Sequence, residues 1–224
     1  MTEDKSKCRS WFDAHGARHG HHGINNQELI TNYDNLADKY DQFYLAPDMK
    51  CAGYNIIPQT MSELFPSNRG DVSVLDLGAG TGNVGLLMKD KGFTKLDAFE
   101  PSTGMLEIAR KKNIYGQMYN AFLNDEPLDI PNDTYDAIIM QAVIGPGTVP
   151  CVAFEELVRI VKPGGYIVMC NRSSYLEEIP DYKENWTPFV ARLEREGRWS
   201  VVRQERYPNQ FMEHEGLHMV FKIC

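Results

Sequence analysis

The run Val74-Leu-Asp-Leu-Gly-Ala-Gly-Thr-Gly-Asn-Val84 constrains the fold of this chain more than any other segment. Val72–Leu77 is apolar on both alternating faces apart from Asp76, as in a strand buried on both sides. Asn83–Lys91 is amphipathic and stops at Gly92, which predicts a helix. A buried strand that passes through three glycines into a helix opens a βαβ unit in a parallel sheet. In such open sheets ligands sit beyond the carboxyl ends of the strands, at the point where the connections change side. Gly78–Gly82 falls at that end. Glycine lets the chain turn tightly and lets a ligand approach the backbone, and the first N–H groups of the next helix face outward.

The rest of the chain repeats this alternation. Strands are predicted at Leu96–Phe99, Gln117–Leu123, Asp136–Val143 and Tyr166–Cys170, and helices at Thr103–Lys112, Val152–Val161 and Tyr182–Glu196. Pro163 stands at the end of the second of these helices and Gly197 at the end of the third. Ser200–Tyr207 and Leu217–Ile223 alternate like the two arms of an antiparallel hairpin. Ahead of the core, Leu29, Ile30, Tyr33, Leu36, Ala37 and Tyr40 recur at helical spacing over Asn26–Phe43, and Pro47 opens a second helix over Asp48–Leu64. The expected architecture is α/β and Rossmann-like: a mostly parallel seven-stranded sheet with an antiparallel C-terminal hairpin and an N-terminal helical lid. Residues 1–24 read as a flexible tail and 25–224 as a single domain, with the lid over 25–66 and the core over 71–224.

Composition narrows the function classes. The 224 residues carry a net charge of -8, which weighs against a nucleic-acid partner and against anionic membrane surfaces. No apolar run approaches the roughly 20 residues of a membrane span, and the first residues have no apolar stretch of a secretion signal. The five cysteines, at 8, 51, 151, 170 and 224, are odd in number and contain no Cys-x-x-Cys, so neither a disulfide framework nor a zinc site is expected. These features point to a cytoplasmic protein acting on a small molecule, as a monomer or homodimer. His15, His19, His21 and His22 cluster in the tail; a tract of this kind binds metal weakly unless a fold organises it, and no metal is expected.

The glycine spacing discriminates between cofactors. A dinucleotide site calls for Gly-x-Gly-x-x-Gly, but the sixth position is Asn83. Gly-x-Gly-x-Gly behind a buried acid suits a nucleoside cofactor with no pyrophosphate to cradle. Glu100 ends the next strand, where a carboxylate can accept hydrogen bonds from two free ribose hydroxyls; the competing reading is a solvated strand-end carboxylate. S-adenosylmethionine carries both hydroxyls free. An NAD-dependent oxidoreductase is the reading that Asn83 disfavours.

Four blocks in order, Val74–Val84, Phe99–Met105, Tyr135–Met140 and Leu157-Val-Arg-Ile-Val-Lys-Pro-Gly-Gly-Tyr166, resemble the class I S-adenosylmethionine-dependent methyltransferases. Tyr33-Asp-Asn-Leu-Ala-Asp-Lys-Tyr-Asp41, Glu126-Pro-Leu128, Val149-Pro-Cys151, Tyr182-Lys-Glu184 and Leu193-Glu-Arg195 are similar to the methyltransferase-like family of the Williams–Beuren syndrome region. The resemblance implies a class I methyltransferase fold and a set of cofactor contacts. Gly78, Ala79 and Gly80 would line the methionine and ribose parts, with Asp76 orienting the loop. Pro101, Ser102 and Met105 would flank ribose and adenine. Leu123 with Asn124 or Asp125 would meet the adenine, and Gln141, Ala142 and Val143 would edge the methionine chain.

Methyl transfer from a sulfonium is an in-line displacement in which positioning does much of the work, and a base is needed only when the nucleophile arrives protonated. No catalytic triad is visible. Tyr33 and Tyr40 share a helix face and read either as packing or as lid groups over the cofactor. Tyr33, Tyr40 and His214 are the candidate catalytic residues. Tyr44, Ile144, Asn171, Arg172 and His214 are the candidate acceptor contacts, Arg172 for a carboxylate. Trp186 and Phe189 read as helix packing. The expected activity is methyl transfer to nitrogen or oxygen of a small molecule; the alternatives are a protein or peptide methyltransferase and a non-catalytic partner that binds the cofactor.

Overall fold

A computed structural model of the chain describes residues 26–46 and 49–224. The elements are α1 (Asn26–Tyr44), α2 (Gly53–Leu64), β1 (Ser73–Leu77), α3 (Asn83–Asp90), β2 (Lys95–Phe99), α4 (Thr103–Lys111), β3 (Met118–Tyr119), β4 (Tyr135–Gln141), α5 (Phe154–Ile160), β5 (Val161–Arg172), α6 (Tyr175–Glu178), α7 (Pro180–Arg195), β6 (Trp199–Phe211) and β7 (His214–Ile223). They build one seven-stranded sheet in the order β3-β2-β1-β4-β5-β7-β6. The first five strands run parallel, and β7 lies antiparallel between β5 and β6. The expected α/β, mostly parallel sheet with a C-terminal hairpin is the observed one.

Alternating side chains give the sheet two covered faces. Leu75, Leu77, Ile138, Met140, Ile167 and Met169 point into one core, with Leu157 of α5 and Trp186 and Leu193 of α7. Val74, Ala137, Ile139, Val168 and Cys170 point into the other, with Ile57 and Met61 of α2 and Val84 and Met88 of α3. Trp186 stacks among Phe154, Tyr182, Phe189 and Phe221, so it and Phe189 belong to helix packing.

Several element limits differ from the sequence expectation. The helix expected from Asp48 starts at Gly53, because Ala52 N–H donates to Asn209 and Met49 C=O accepts from Met212, tying the preceding turn to the far end of β6. The strand expected over Gln117–Leu123 shrinks to Met118–Tyr119, since Asn120 turns its amide onto the carbonyls of Glu100 and Pro101. The helix before Pro163 ends already at Ile160. Val161 pairs with Tyr135, and β5 runs on through a bulge at the Pro163-Gly-Gly165 stretch, with Gly164 at φ +84°. The residue-47 turn and the histidines at 15, 19, 21 and 22 lie outside the described residues.

The strand order reverses direction between β1 and β4, and this switch point is where the fold opens a cleft. Gly78 at the end of β1 and Val143 just past β4 meet there: a Cβ on residue 78 would stand 2.6 Å from Val143 Cγ2. Helix α1 crosses this edge and packs on α4 at Gly104, where a Cβ would come within 3.2 Å of Asp34 Cα and Ala37 Cβ.

Candidate active site

The glycine loop is built for close approach from one side. Gly78, Gly80 and Gly82 have φ of +72°, +53° and +86°, values that L side chains rarely adopt. Gly78 N–H and Ala79 N–H both donate to Phe99 C=O, which hangs the loop on β2. A Cβ on Gly80 would meet nothing within 4 Å, so this residue presents bare backbone to open space.

Glu100 faces that space. One carboxylate oxygen accepts Gly80 N–H at 3.0 Å and the other accepts Ser102 N–H at 2.9 Å. Each oxygen keeps capacity for a further donor. Glu100 is only 7% exposed, so it is no solvated strand-end acid. Burial raises its pKa to about 7 against the pull of the two backbone donors.

Asp76 sits on the other side of the loop. It is buried, accepts the Tyr115 hydroxyl at 2.5 Å and a hydrogen bond from Gly85 N–H, and its pKa is raised to about 7 by burial. It acts on the loop from behind.

The cleft in front of the loop encloses about 1420 Å³ counted out to its open mouth. The structure brings together there Tyr33, Tyr40, Tyr44, Gly78, Gly80, Glu100, Pro101, Met105, Leu123, Gln141, Ala142, Val143, Ile144, Arg172 and His214 of the sequence-based candidates. Asp76, Ala79, Ser102, Asn124, Asp125 and Asn171 are not among the lining residues. Ala79 packs with Ala98 and Leu106. Ser102 caps α4 by accepting Met105 N–H. Asn124 accepts Glu126 N–H in its own turn. Asn171, buried, accepts Ile144 N–H and fixes the loop that follows β4.

Residues that sequence reasoning missed also line the cleft: Leu29, Ile30, Cys51, Tyr54, Phe122, Thr148, Val149, Tyr175, Gln210 and Phe211 among them. Leu29 and Ile30 lie four and three residues before Tyr33, a spacing that puts them beside it on α1. Gln210 and Phe211 arrive from the distant hairpin and have no local signal.

The cleft wall is aromatic and held neutral. Tyr40 and Tyr44 stack at 4.1 Å, and Tyr44 meets Phe211 at 5.2 Å. Burial raises the pKa of Tyr33, Tyr40, Tyr44 and Tyr54, and pushes the Cys51 thiol up to about 12. Partial burial, then the charge of Arg172, lowers the pKa of His214, so its imidazole is neutral at pH 7. Ala142 has φ +56°, a strained value for a residue with a Cβ. Next to it, the buried Gln141 Oε1 has no hydrogen-bond partner. Among the described residues no group of three or more His, Cys, Asp or Glu side chains is placed to hold a metal ion. Nor is any described helix long and apolar enough to cross a membrane.

Comparison with known proteins agrees with this geometry. Residues 49–220 match the family model of a methyltransferase domain. Methyltransferase-like protein 27 of Homo sapiens is 32% identical over 186 residues, covering 80% of this chain and 71% of that protein. Among solved structures, the [4+2]-cyclase SpnF superposes with a TM-score of 0.66 at 15% identity, over 91% of this chain and 98% of its own. A Burkholderia thailandensis 1,6-didemethyltoxoflavin N1-methyltransferase, solved with that acceptor and S-adenosylhomocysteine, gives 0.60 at 15% identity over 87% of each.

The chain belongs to the methyltransferase-domain family and is an S-adenosylmethionine-dependent methyltransferase, with S-adenosylmethionine as its cofactor. The residues present fit that cofactor: a carboxylate with spare acceptor capacity, bare glycine backbone, and an unpartnered amide oxygen, all on one cleft.

Proposed function

We propose that this enzyme transfers the methyl group to a nitrogen or oxygen atom of a small-molecule acceptor. The observation that carries this reading is the roofing of the cleft. Helix α1 contributes Leu29, Ile30, Tyr33, Tyr40 and Tyr44, the segment before and into α2 contributes Cys51 and Tyr54, and the hairpin contributes Gln210, Phe211 and His214. A space covered from three directions suits a small ligand better than a protein segment.

Bound S-adenosylmethionine supplies an activated methyl on a positively charged sulfur, so the protein's task is chiefly orientation. In this reading Glu100 holds the ribose hydroxyls and the backbone of Gly78–Gly80 borders the methionine part. Pro101, Met105 and Leu123 form the apolar wall for the base. Gln141 Oε1 accepts a hydrogen bond from the N–H or O–H of the acceptor or from the cofactor's amino group. The protonated phenols of Tyr33, Tyr40 and Tyr44 serve as donors and as ring faces for the sulfonium. An amine with a free lone pair needs no base; a hydroxyl acceptor has the neutral imidazole of His214 within the same cleft. Among the described residues Arg172 is the only Lys or Arg on the lining, and it suits an anionic group on the acceptor.

The test is transfer of label from methyl-labelled S-adenosylmethionine into a cell extract, followed by separation by mass. Label in the low-mass fraction supports the reading. Label on protein or nucleic acid, or none beyond a no-enzyme control, overturns it.

A further inference from the structure

Helix α1 walls the cleft through Tyr33, Tyr40 and Tyr44, the last packed on Phe211. Only Leu29, Leu36 and Ala37 of its nineteen residues are buried. Its polar attachment comes from two carboxylates seven residues apart, each next to a cleft tyrosine: Tyr33 then Asp34, Tyr40 then Asp41. Asp34 accepts Ser102 Oγ–H at 2.7 Å and Gly104 N–H at 2.9 Å, at the start of α4. Asp41 reaches the glycine loop itself. One of its oxygens accepts the Thr81 hydroxyl at 2.5 Å and the Asn83 amide at 2.8 Å, and the other accepts Lys112 Nζ at 2.8 Å. Lys112 Nζ also donates to Asn83 Oδ1 at 2.7 Å, so Asp41, Asn83 and Lys112 close a triangle.

The triangle is sheltered. Thr81 is 1% and Asn83 7% exposed, and the Lys112 side chain keeps 17%. Half-burial opposes ionisation of Asp41, but the bonds from Lys112, Thr81 and Asn83 hold its pKa below the usual carboxylate value. Tyr54, on the cleft wall, lies beside both Tyr40 and Asn83, next to the triangle and the aromatic roof. Asn83 stands where a pyrophosphate loop would place glycine. Here its amide uses both ends, one on the lid and one on Lys112.

We propose that Asp41 is a positioning residue, and that the Asp41–Asn83–Lys112 triangle is the latch by which α1 closes on the cofactor loop. The roof tyrosines then stand over the cleft only while the loop holds the latch, and release of α1 is the step that lets cofactor and product pass. The latch acts on the C-terminal half of α1, while Asp34 keeps the middle of the helix docked on α4.

The test uses Asp41→Asn, which keeps the size and one acceptor but removes the charge, together with Lys112→Met and the double variant. Dissociation of S-adenosylhomocysteine is followed by stopped-flow competition, and hydrogen exchange of residues 26–44 is followed in the ligand-free protein. Loss of a sheltered charged hydrogen bond is expected to speed dissociation by about tenfold or more in each single variant. The double variant is expected to be no faster than the faster single one, because both break the same triangle. Exchange of α1 rises while exchange of β4 and β5 stays at the wild-type level. Folded variants with wild-type dissociation and wild-type α1 exchange overturn the proposal, as do single effects that add in the double variant. If Asp41→Asn does not fold, Lys112→Met alone carries the same two readouts.

Discussion

The hydroxyl of Tyr115 donates a 2.5 Å hydrogen bond to the buried carboxylate of Asp76, behind the glycine loop. Gly82 and Gly85 make the room for this contact: a Cβ on Gly82 would stand 3.2 Å from the Tyr115 ring, and one on Gly85 would overlap its hydroxyl. The acid that precedes the loop is thus a strut between β1, α3 and the segment after α4. Removing the hydroxyl leaves a buried carboxylate with one donor fewer. Tyr115→Phe is expected to lower stability by about 1–3 kcal/mol and to weaken binding of S-adenosylhomocysteine, read by chemical denaturation and calorimetry. An unchanged denaturation midpoint would remove the strut.

With Glu100 in the proposed ribose role, cofactor binding depends on pH. The pKa of Glu100 in the free protein is raised to about 7, and ribose hydroxyls donate more strongly to the ionised form, which accepts at both oxygens. Binding therefore lowers that pKa and releases a proton. Affinity for S-adenosylhomocysteine should climb as pH rises from about 5.5 to 7 and level off above. Glu100→Gln should flatten this profile and weaken binding on the order of 100-fold at pH 8, through loss of charged hydrogen bonds. The glutamine variant is the informative one, since alanine would also strand Gly80 N–H and Ser102 N–H.

Much of the fold was legible because it rests on local pattern. β1 and β4 are continuous apolar runs, and the three positive-φ glycines sit where only such residues serve. The ends of α2 and β6 were not legible. They depend on Met49 and Ala52 bonding to Met212 and Asn209, about 160 residues away in sequence. The cleft shows the same division. Glu100 and Gly80 announce themselves by spacing from the loop. Tyr54, Gln210 and Phe211 reach the cleft only through the sheet order, which no local window contains.

His218 supplies a pH effect of the opposite kind, on stability. It is 4% exposed, sits 3.2 Å from Thr60 Oγ1, and its pKa is lowered to about 4 by burial and then by Arg203. The unfolded chain binds this proton near pH 6.5, the folded chain only near 4. The unfolded state therefore holds more protons in that window, and stability falls as pH drops from 6.5 towards 4. His218→Gln should reduce this acid loss by about 1–3 kcal/mol in denaturation series at pH 4.5 and 7.5. An identical pH slope in both proteins would exclude the effect.

Arg172 bears on the acceptor. Its guanidinium lies over the Tyr175 ring at 5.2 Å, donates to Ser174 Oγ and sits 3.7 Å from Glu178, and the residue lines the cleft. For an acceptor found by labelled transfer, Arg172→Met should raise KM about tenfold or more, with affinity for S-adenosylhomocysteine unchanged. Equal KM values would show that the acceptor carries no group for Arg172.

The most direct test of small-molecule methyl transfer is a crystal structure with S-adenosylhomocysteine bound. The expected result has the ribose hydroxyls on Glu100 and the sulfur facing a space closed in by Gln141, Tyr44 and His214, with α1 latched above it. A ribose away from Glu100, or a sulfur opening onto an uncovered surface groove, would contradict it.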